Sequence, residues 1–145
     1  MGDHAAELLK VLLPHLTHVV VNGVVRIGRS VRISAICSAP TACCPGCGTV
    51  SARVHSRYGR RLADTAVVGQ ETAIDLEVRR FICDHAGCGK KTFAEQVEHL
   101  TFRYGRRTVL LQRLLQQVAL ALGGQAGERL AERLARSASE WLHWR

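Results

Sequence analysis

The sequence predicts an α+β fold in which a small antiparallel β-unit, stapled at one point by metal-ligating side chains, precedes a helical hairpin. Three observations predict it. Apolar and polar residues alternate in short runs between residues 17 and 94, the period of half-buried strands. Two cysteine pairs, Cys44/Cys47 and Cys83/Cys88, each sit in a glycine-containing turn. From about residue 100 the apolar spacing becomes helical.

Residues 4–13 (H-A-A-E-L-L-K-V-L-L) predict a short helix that ends before Pro14, with Leu8, Leu9, Leu12 and Leu13 as an apolar stripe packed on the β-region. Val19, Val20 and Val21 then lead to Asn22-Gly23, a strong hairpin dipeptide, followed by Val24, Val25 and Ile27. Val31, Ile33 and Ala35 predict a strand with one wetter face, ended by Cys37 as a small buried hydrophobe. After the first cysteine pair, Val50, Ala52 and Val54 alternate with Ser51, Arg53 and His55 as a further strand. Residues 58–70 read as an irregular connection. Ile74, Leu76 and Val78 predict the strand that delivers Cys83, and residues 90–94 a last short strand.

Val109, Leu110, Leu114, Val118, Leu120 and Leu122 then recur at helical spacing until Gly123-Gly124. A second helix over roughly 127–136 carries Leu130, Ala131, Leu134 and Ala135 on one face. Two helices around a glycine turn resemble a partial helix-turn-helix. Trp141 and Trp144 are expected to cap the helical core. The expected organisation is an amino-terminal helix (1–16), a zinc-binding β-domain (17–99) and a truncated helix-turn-helix-like segment (100–145).

The cysteine spacing carries the chemistry. C-x2-C (C-P-G-C-G) followed by C-x4-C (C-D-H-A-G-C-G) offers four soft donors from two tight turns, as a tetrahedral zinc site requires. A closed four-sulfur shell leaves no position for water, so Zn2+ at Cys44, Cys47, Cys83 and Cys88 is structural, and the β-unit is zinc-ribbon-like. An iron–sulfur cluster and a redox dithiol at C-P-G-C are the rivals. Cys43 in place of Cys44 would give C-x3-C rather than C-x2-C, and His85, inside the second turn, is an alternative ligand but is expected to face solvent or the ligands' surroundings, because Cys83 and Cys88 already complete the set. The chain has six cysteines, but the adjacent Cys43-Cys44 and the lack of an export signal argue against disulfides.

The chain is 145 residues long with a formal net charge of +8, which favours a polyanionic partner. No apolar run has membrane-spanning length, and the start lacks the regions of a signal peptide; the expected place is a reducing cytosol. R-V-H-S-R-Y-G-R-R places Arg53, His55 and Arg57 at alternate positions of one strand face, followed by Tyr58, Arg60 and Arg61. With Arg79, Arg80, Lys90, Lys91, Arg103, Arg106 and Arg107, these are the expected contacts to double-stranded DNA, made to phosphates.

Two stretches, A-P-T-A-C-C-P-G-C-G-T-V-S-A-R-V-H-S-R-Y-G-R-R-L-A-D and V-R-R-F-I-C-D-H-A-G-C-G-K-K-T-F-A-E, resemble the amino-terminal zinc finger of the ISL-three family of insertion-sequence transposases. R-Y-G-R-R-T-V-L-L-Q-R-L and A-L-G-G-Q-A-G-E-R-L-A-E-R-L resemble that family's helix-turn-helix segment, so the likeness covers roughly residues 9–136. The resemblance implies that the four cysteines hold zinc and that this part recognises the terminal inverted repeats of the element. Family members continue into a ribonuclease-H-like domain in which three acidic residues hold two metal ions. The four aspartates here, Asp3, Asp64, Asp75 and Asp84, all precede the helical segment.

The expected function is therefore a DNA-binding, truncated transposase fragment that is not itself an enzyme. The alternative is a zinc-dependent interaction module, as a homodimer or as a partner of a full-length transposase. A thiol redox enzyme is the third and weakest reading.

Overall fold

A computed structural model describes residues 3–139. In chain order it contains α1 (Asp3–Leu12), a 3-10 turn (Pro14–Leu16), β1 (Val19–Ile27), β2 (Ser30–Cys37), β3 (Ala42–Cys43), β4 (Val50–Ser51), β5 (Val54–Val67), β6 (Gln70–Ile82), β7 (Thr92–Ala94), α2 (Val109–Leu122) and α3 (Gly124–Ser139). The fold is α+β and mostly sheet. No helix among the described residues is long and apolar enough to cross a membrane.

The main sheet runs β1-β2-β6-β5, and β3 and β4 form a separate two-stranded ladder. β1/β2, β5/β6 and β6/β7 pair antiparallel, whereas β2 and β6 are parallel, so the sheet is mixed where an antiparallel unit was expected. β2 covers Glu71 to Glu77 of β6, and β7 covers Arg80 to Ile82 farther along it. β6 is thus the central strand. Its alternation puts Ile74, Leu76 and Val78 in the core, beside Leu62 of β5 and Ile33 and Ala35 of β2. Leu16, Val97 and Leu100 close over that face.

Several expectations are corrected. Asn22-Gly23 is not the hairpin turn: β1 continues through it with a register shift, and the two-residue turn falls at Gly28-Arg29, where Gly28 takes φ +61°. Residues 58–70 are not irregular; they lie in the long β5–β6 hairpin, whose turn is Val68-Gly69 with φ of +49° and +70°. The missed signal was V-V-G-Q, a turn with one glycine where two positive φ values are needed. The Val50–Val54 run is interrupted, and Ser51 rather than Val50 points inward. A register shift between Val54 and Ser56 breaks the single face expected for Arg53, His55 and Arg57.

α1 exists, but Leu8, Val11 and Leu12 stay exposed. Pro14 disfavours helix at Leu13 and turns the chain, so Leu13 and Leu16 reach the core while the rest of the stripe does not. In α2, Leu110, Leu114, Leu120 and Leu122 are exposed, and the buried pair is Leu111 and Leu115, packed on Ala63 of β5. α3 is longer than expected. Leu130 is exposed; the side chains of Ala131, Leu134 and Ala135, and all of Trp141 and Trp144, lie outside the described residues.

A buried polar chain decides which face of α2 turns inward. Thr108 caps α2, its hydroxyl accepting from the Leu111 amide at 3.2 Å and donating to Asp64 Oδ1 at 2.7 Å. The other carboxylate oxygen of Asp64 lies 2.6 Å from His15 Nε2. Asp64 thereby joins the amino-terminal turn, β5 and the start of α2. Asp64→Ala strands a buried histidine and a buried hydroxyl, and should lower unfolding free energy by about 3 kcal/mol in denaturant titration.

Candidate metal centre

The two cysteine turns meet at one end of the sheet. The first is the β3–β4 hairpin. The Cys44 amide donates to the Thr49 carbonyl at 2.9 Å, the Gly48 amide to the Cys44 carbonyl at 2.8 Å, and Gly48 takes φ +75°, which glycine adopts without a side-chain clash. The second turn joins β6 to β7. The Cys83 amide donates to the Lys91 carbonyl at 2.9 Å and the Cys88 amide to the His85 carbonyl at 3.0 Å. Both turns repeat one feature: the Gly46 amide donates to Cys44 Sγ, and the Lys90 amide to Cys88 Sγ, each at 3.4 Å. Such donors stabilise thiolate charge.

Sγ of Cys44 lies 3.8 Å from that of Cys88, and Sγ of Cys47 lies 3.5 Å from that of Cys83. All four sulfurs fall within 4.8 Å of one another. Four sulfurs placed tetrahedrally at about 2.3 Å from zinc would sit about 3.8 Å apart. The donor set and its spacing therefore fit Zn2+. Disulfides need about 2.05 Å, and all six cysteines are free. Gly46 makes the approach possible, because a Cβ there would stand 3.2 Å from Cys88 Sγ and 3.1 Å from Lys90 Cδ. Cys44 is buried, and the cluster packs on Phe81 and Phe93, whose stacked rings are 5.9 Å apart.

The thiols are mismatched as long as no cation is bound. Hydrogen bonding to the Thr49 side chain and backbone holds the Cys47 thiol down at about 6. The backbone hydrogen bond at His85 draws Cys83 down too, but burial and the neighbouring sulfurs of Cys47, Cys44 and Cys88 push it up to about 12. Four anions cannot share this space unless a dication neutralises them. Zinc does so and, with four sulfurs around it, acts as a structural ion. Cys43 and His85 are both exposed and stand outside the four-sulfur group.

The predicted cationic residues separate into two populations. Arg79 is turned inward: its guanidinium reaches Glu95 at 2.6 Å and the Ala39 carbonyl at 2.5 Å, and it lies over the Phe81 ring. Arg57 pairs with Glu77 at 3.0 Å, Arg61 with Asp75 at 2.6 Å, and Arg53 with Asp84. Arg60 donates to the carbonyls of Phe102 and Gly105. His55 lies 3.1 Å from the Ser56 hydroxyl, and Arg107 is half-buried next to the isolated bridge to Ala63. Lys91 is exposed in the second turn.

The remaining cations share one groove of about 940 Å³. The β6 face that buries Leu76 and Val78, opposite Arg60 and Tyr58 of β5, continues beyond the covering layer as Arg80, opposite Ser56. Lys90 enters from the second cysteine turn, and Arg103 and Arg106 from the segment before α2. Tyr104, in the same R-Y-G-R-R run as Arg103, also lines this groove and was not singled out by the sequence. Also unforeseen, His18, Glu98 and His99 bring ligand atoms within 4.8 Å of one another, all of them exposed.

Residues 40–88 match the family model described as the zinc-finger of transposase IS204/IS1001/IS1096/IS1165. The matched stretch contains all four clustered cysteines, and it supports an ISL-three-type transposase zinc-finger region. No curated protein and no solved structure matches the chain.

A thiol-specific reagent should modify exposed Cys43 in the zinc-loaded protein and spare the four clustered cysteines until a chelator is added. Cys83→Ser should abolish stoichiometric zinc binding and the cooperative melting of the cysteine-turn region, while Cys43→Ser preserves both. Mass spectrometry of labelled peptides and elemental analysis read the two outcomes.

Proposed function

We propose that this chain is a DNA-binding part of an ISL-three-type transposase and that it engages the terminal inverted repeats of an insertion sequence. The groove carries this reading. Arg80, Lys90, Arg103 and Arg106 converge on it from β6, a zinc-bearing turn and the segment before α2. No ion pair joins any of the four to a carboxylate among the described residues, whereas Arg53, Arg57, Arg61 and Arg79 are each neutralised by one. Glu95 also lines the groove, but Arg79 occupies it. Cations that the fold leaves without counter-charge are the ones available to phosphates.

In this proposal the zinc does no chemistry. It fixes the two turns so that Lys90 is delivered beside Arg80. The α2–α3 pair is assigned as a helix-turn-helix element, with Gly127 allowing close approach: a Cβ there would be 3.0 Å from the Ala119 carbonyl oxygen. Strand transfer is not assigned to this chain. Asp64, Asp75 and Asp84 are held by His15 and Thr108, by Arg61 and by Arg53 respectively, in three separate places.

A second reading is an interaction module. It rests on β1, an edge strand with Val20, Val24, Val25 and Ile27 exposed.

Fluorescence anisotropy with terminal-repeat duplexes across a salt series tests the first reading. Log K should fall steeply with log salt, and Arg80→Ala with Arg106→Ala should together reduce the slope by about 2. Salt-independent binding, or no binding, contradicts it. Sedimentation of the same samples that shows a stable dimer without DNA affinity would favour the second.

A further inference from the structure

Tyr104 is spent in a way that neither the zinc site nor phosphate binding explains. It is 84 % exposed, and its backbone takes φ +60°, a left-handed conformation that is costly for a side-chain-bearing residue. A loop free to relax would remove that cost. This one is built not to. Arg60, on β5, donates to the carbonyls of Phe102 and Gly105 on either side of the tyrosine. The Gly105 amide donates to the Phe102 carbonyl at 3.0 Å, and the Phe102 ring lies so close to Gly105 that a Cβ there would meet it at 2.5 Å. Backbone bonds from the Ala63 amide to Arg106 and from the Thr108 amide to Ala63, at 3.0 and 2.9 Å, seal the far end of the loop to β5. The chain accepts an unfavourable backbone angle to hold an aromatic ring outward at the groove wall.

The ring is also prepared electronically. The Arg103 guanidinium lies 4.8 Å from its centroid and donates to its hydroxyl at 2.9 Å. That contact fixes the ring's orientation and places a cation beside it. An aromatic ring held rigidly beside a cationic groove has the composition of a base-stacking platform: cations track the backbone, and the ring takes the π-face of a base. A paired base inside a duplex does not offer that face; an unstacked one does.

We propose that the Arg103–Tyr104 tip binds an unpaired nucleobase, so that the groove favours DNA carrying an unpaired nucleotide over fully paired DNA. This rests on the DNA-binding reading above. It adds a ligand class, the exposed base, and a residue that contacts it.

The test uses the zinc-loaded chain and two duplexes of the same sequence, one fully paired and one with a single unpaired nucleotide. The wild-type chain should bind the second about tenfold more tightly. Tyr104→Ala should abolish the difference and leave affinity for the paired duplex within about twofold, with zinc content and circular dichroism unchanged. Tyr104→Phe should retain the preference. Equal wild-type affinity for both duplexes overturns the proposal, as does a preference that survives in Tyr104→Ala; either result leaves the salt-dependent DNA-binding reading standing. Failure to bind either duplex at low salt overturns both.

Discussion

Thiolate charge crowded into one small volume must be neutralised, and most of the architecture at this end of the molecule follows from how that is done. Four sulfurs from two turns fall within 4.8 Å of each other, and their spacing suits one zinc ion. The ion ties the β3–β4 turn to the end of β6 and the start of β7. With that junction set, β7 pairs with Arg80 to Ile82 and puts buried Glu95 against the half-buried Arg79. The chain beyond β7 is then led back over the sheet, where Val97 and Leu100 close the core, and reaches α2 through the loop that carries Tyr104. Phe81 and Phe93 form the small apolar base on which the metal cluster rests, separate from the main sheet core.

Charge on this chain is sorted by position. Arginines at the outer face of the β5–β6 hairpin meet carboxylates in register: Arg61 is directly opposite Asp75, and Arg57 reaches Glu77. Such exposed pairs contribute little to stability, but they offset the charge of those cations locally. On the other face, Arg80 and Tyr58 occupy the continuation of the core stripe, where no covering layer remains. A positive net charge alone would not have separated these groups; the strand period and the β6 register do.

The zinc ligands were legible because thiolate spacing is a nearly local property: C-x2-C and C-x4-C define turns whatever surrounds them. The β6 stripe of Ile74, Leu76 and Val78 was legible for the same reason. The β5–β6 turn was not, because Val68 occupies a positive-φ position that β-branched residues disfavour, and only the long hairpin around it makes that tolerable. Nor was the true turn after β1, because Asn22-Gly23 advertises a hairpin that the register does not use. The leucines of α2 lie all around the helix, so periodicity could not choose Leu111 and Leu115; the Asp64–Thr108 contact does that, across 44 residues of sequence. Arg79 and Arg80 look alike in the sequence, yet strand alternation sends one to Glu95 and the other to the groove.

The central claim is that one zinc ion is held by Cys44, Cys47, Cys83 and Cys88 alone. X-ray absorption spectroscopy at the zinc edge tests it most directly. The account predicts a single shell of four sulfurs at about 2.3 Å, with no nitrogen or oxygen scatterer in the first shell. A mixed shell containing the His85 imidazole or water, or purified protein that takes up no zinc, would contradict it.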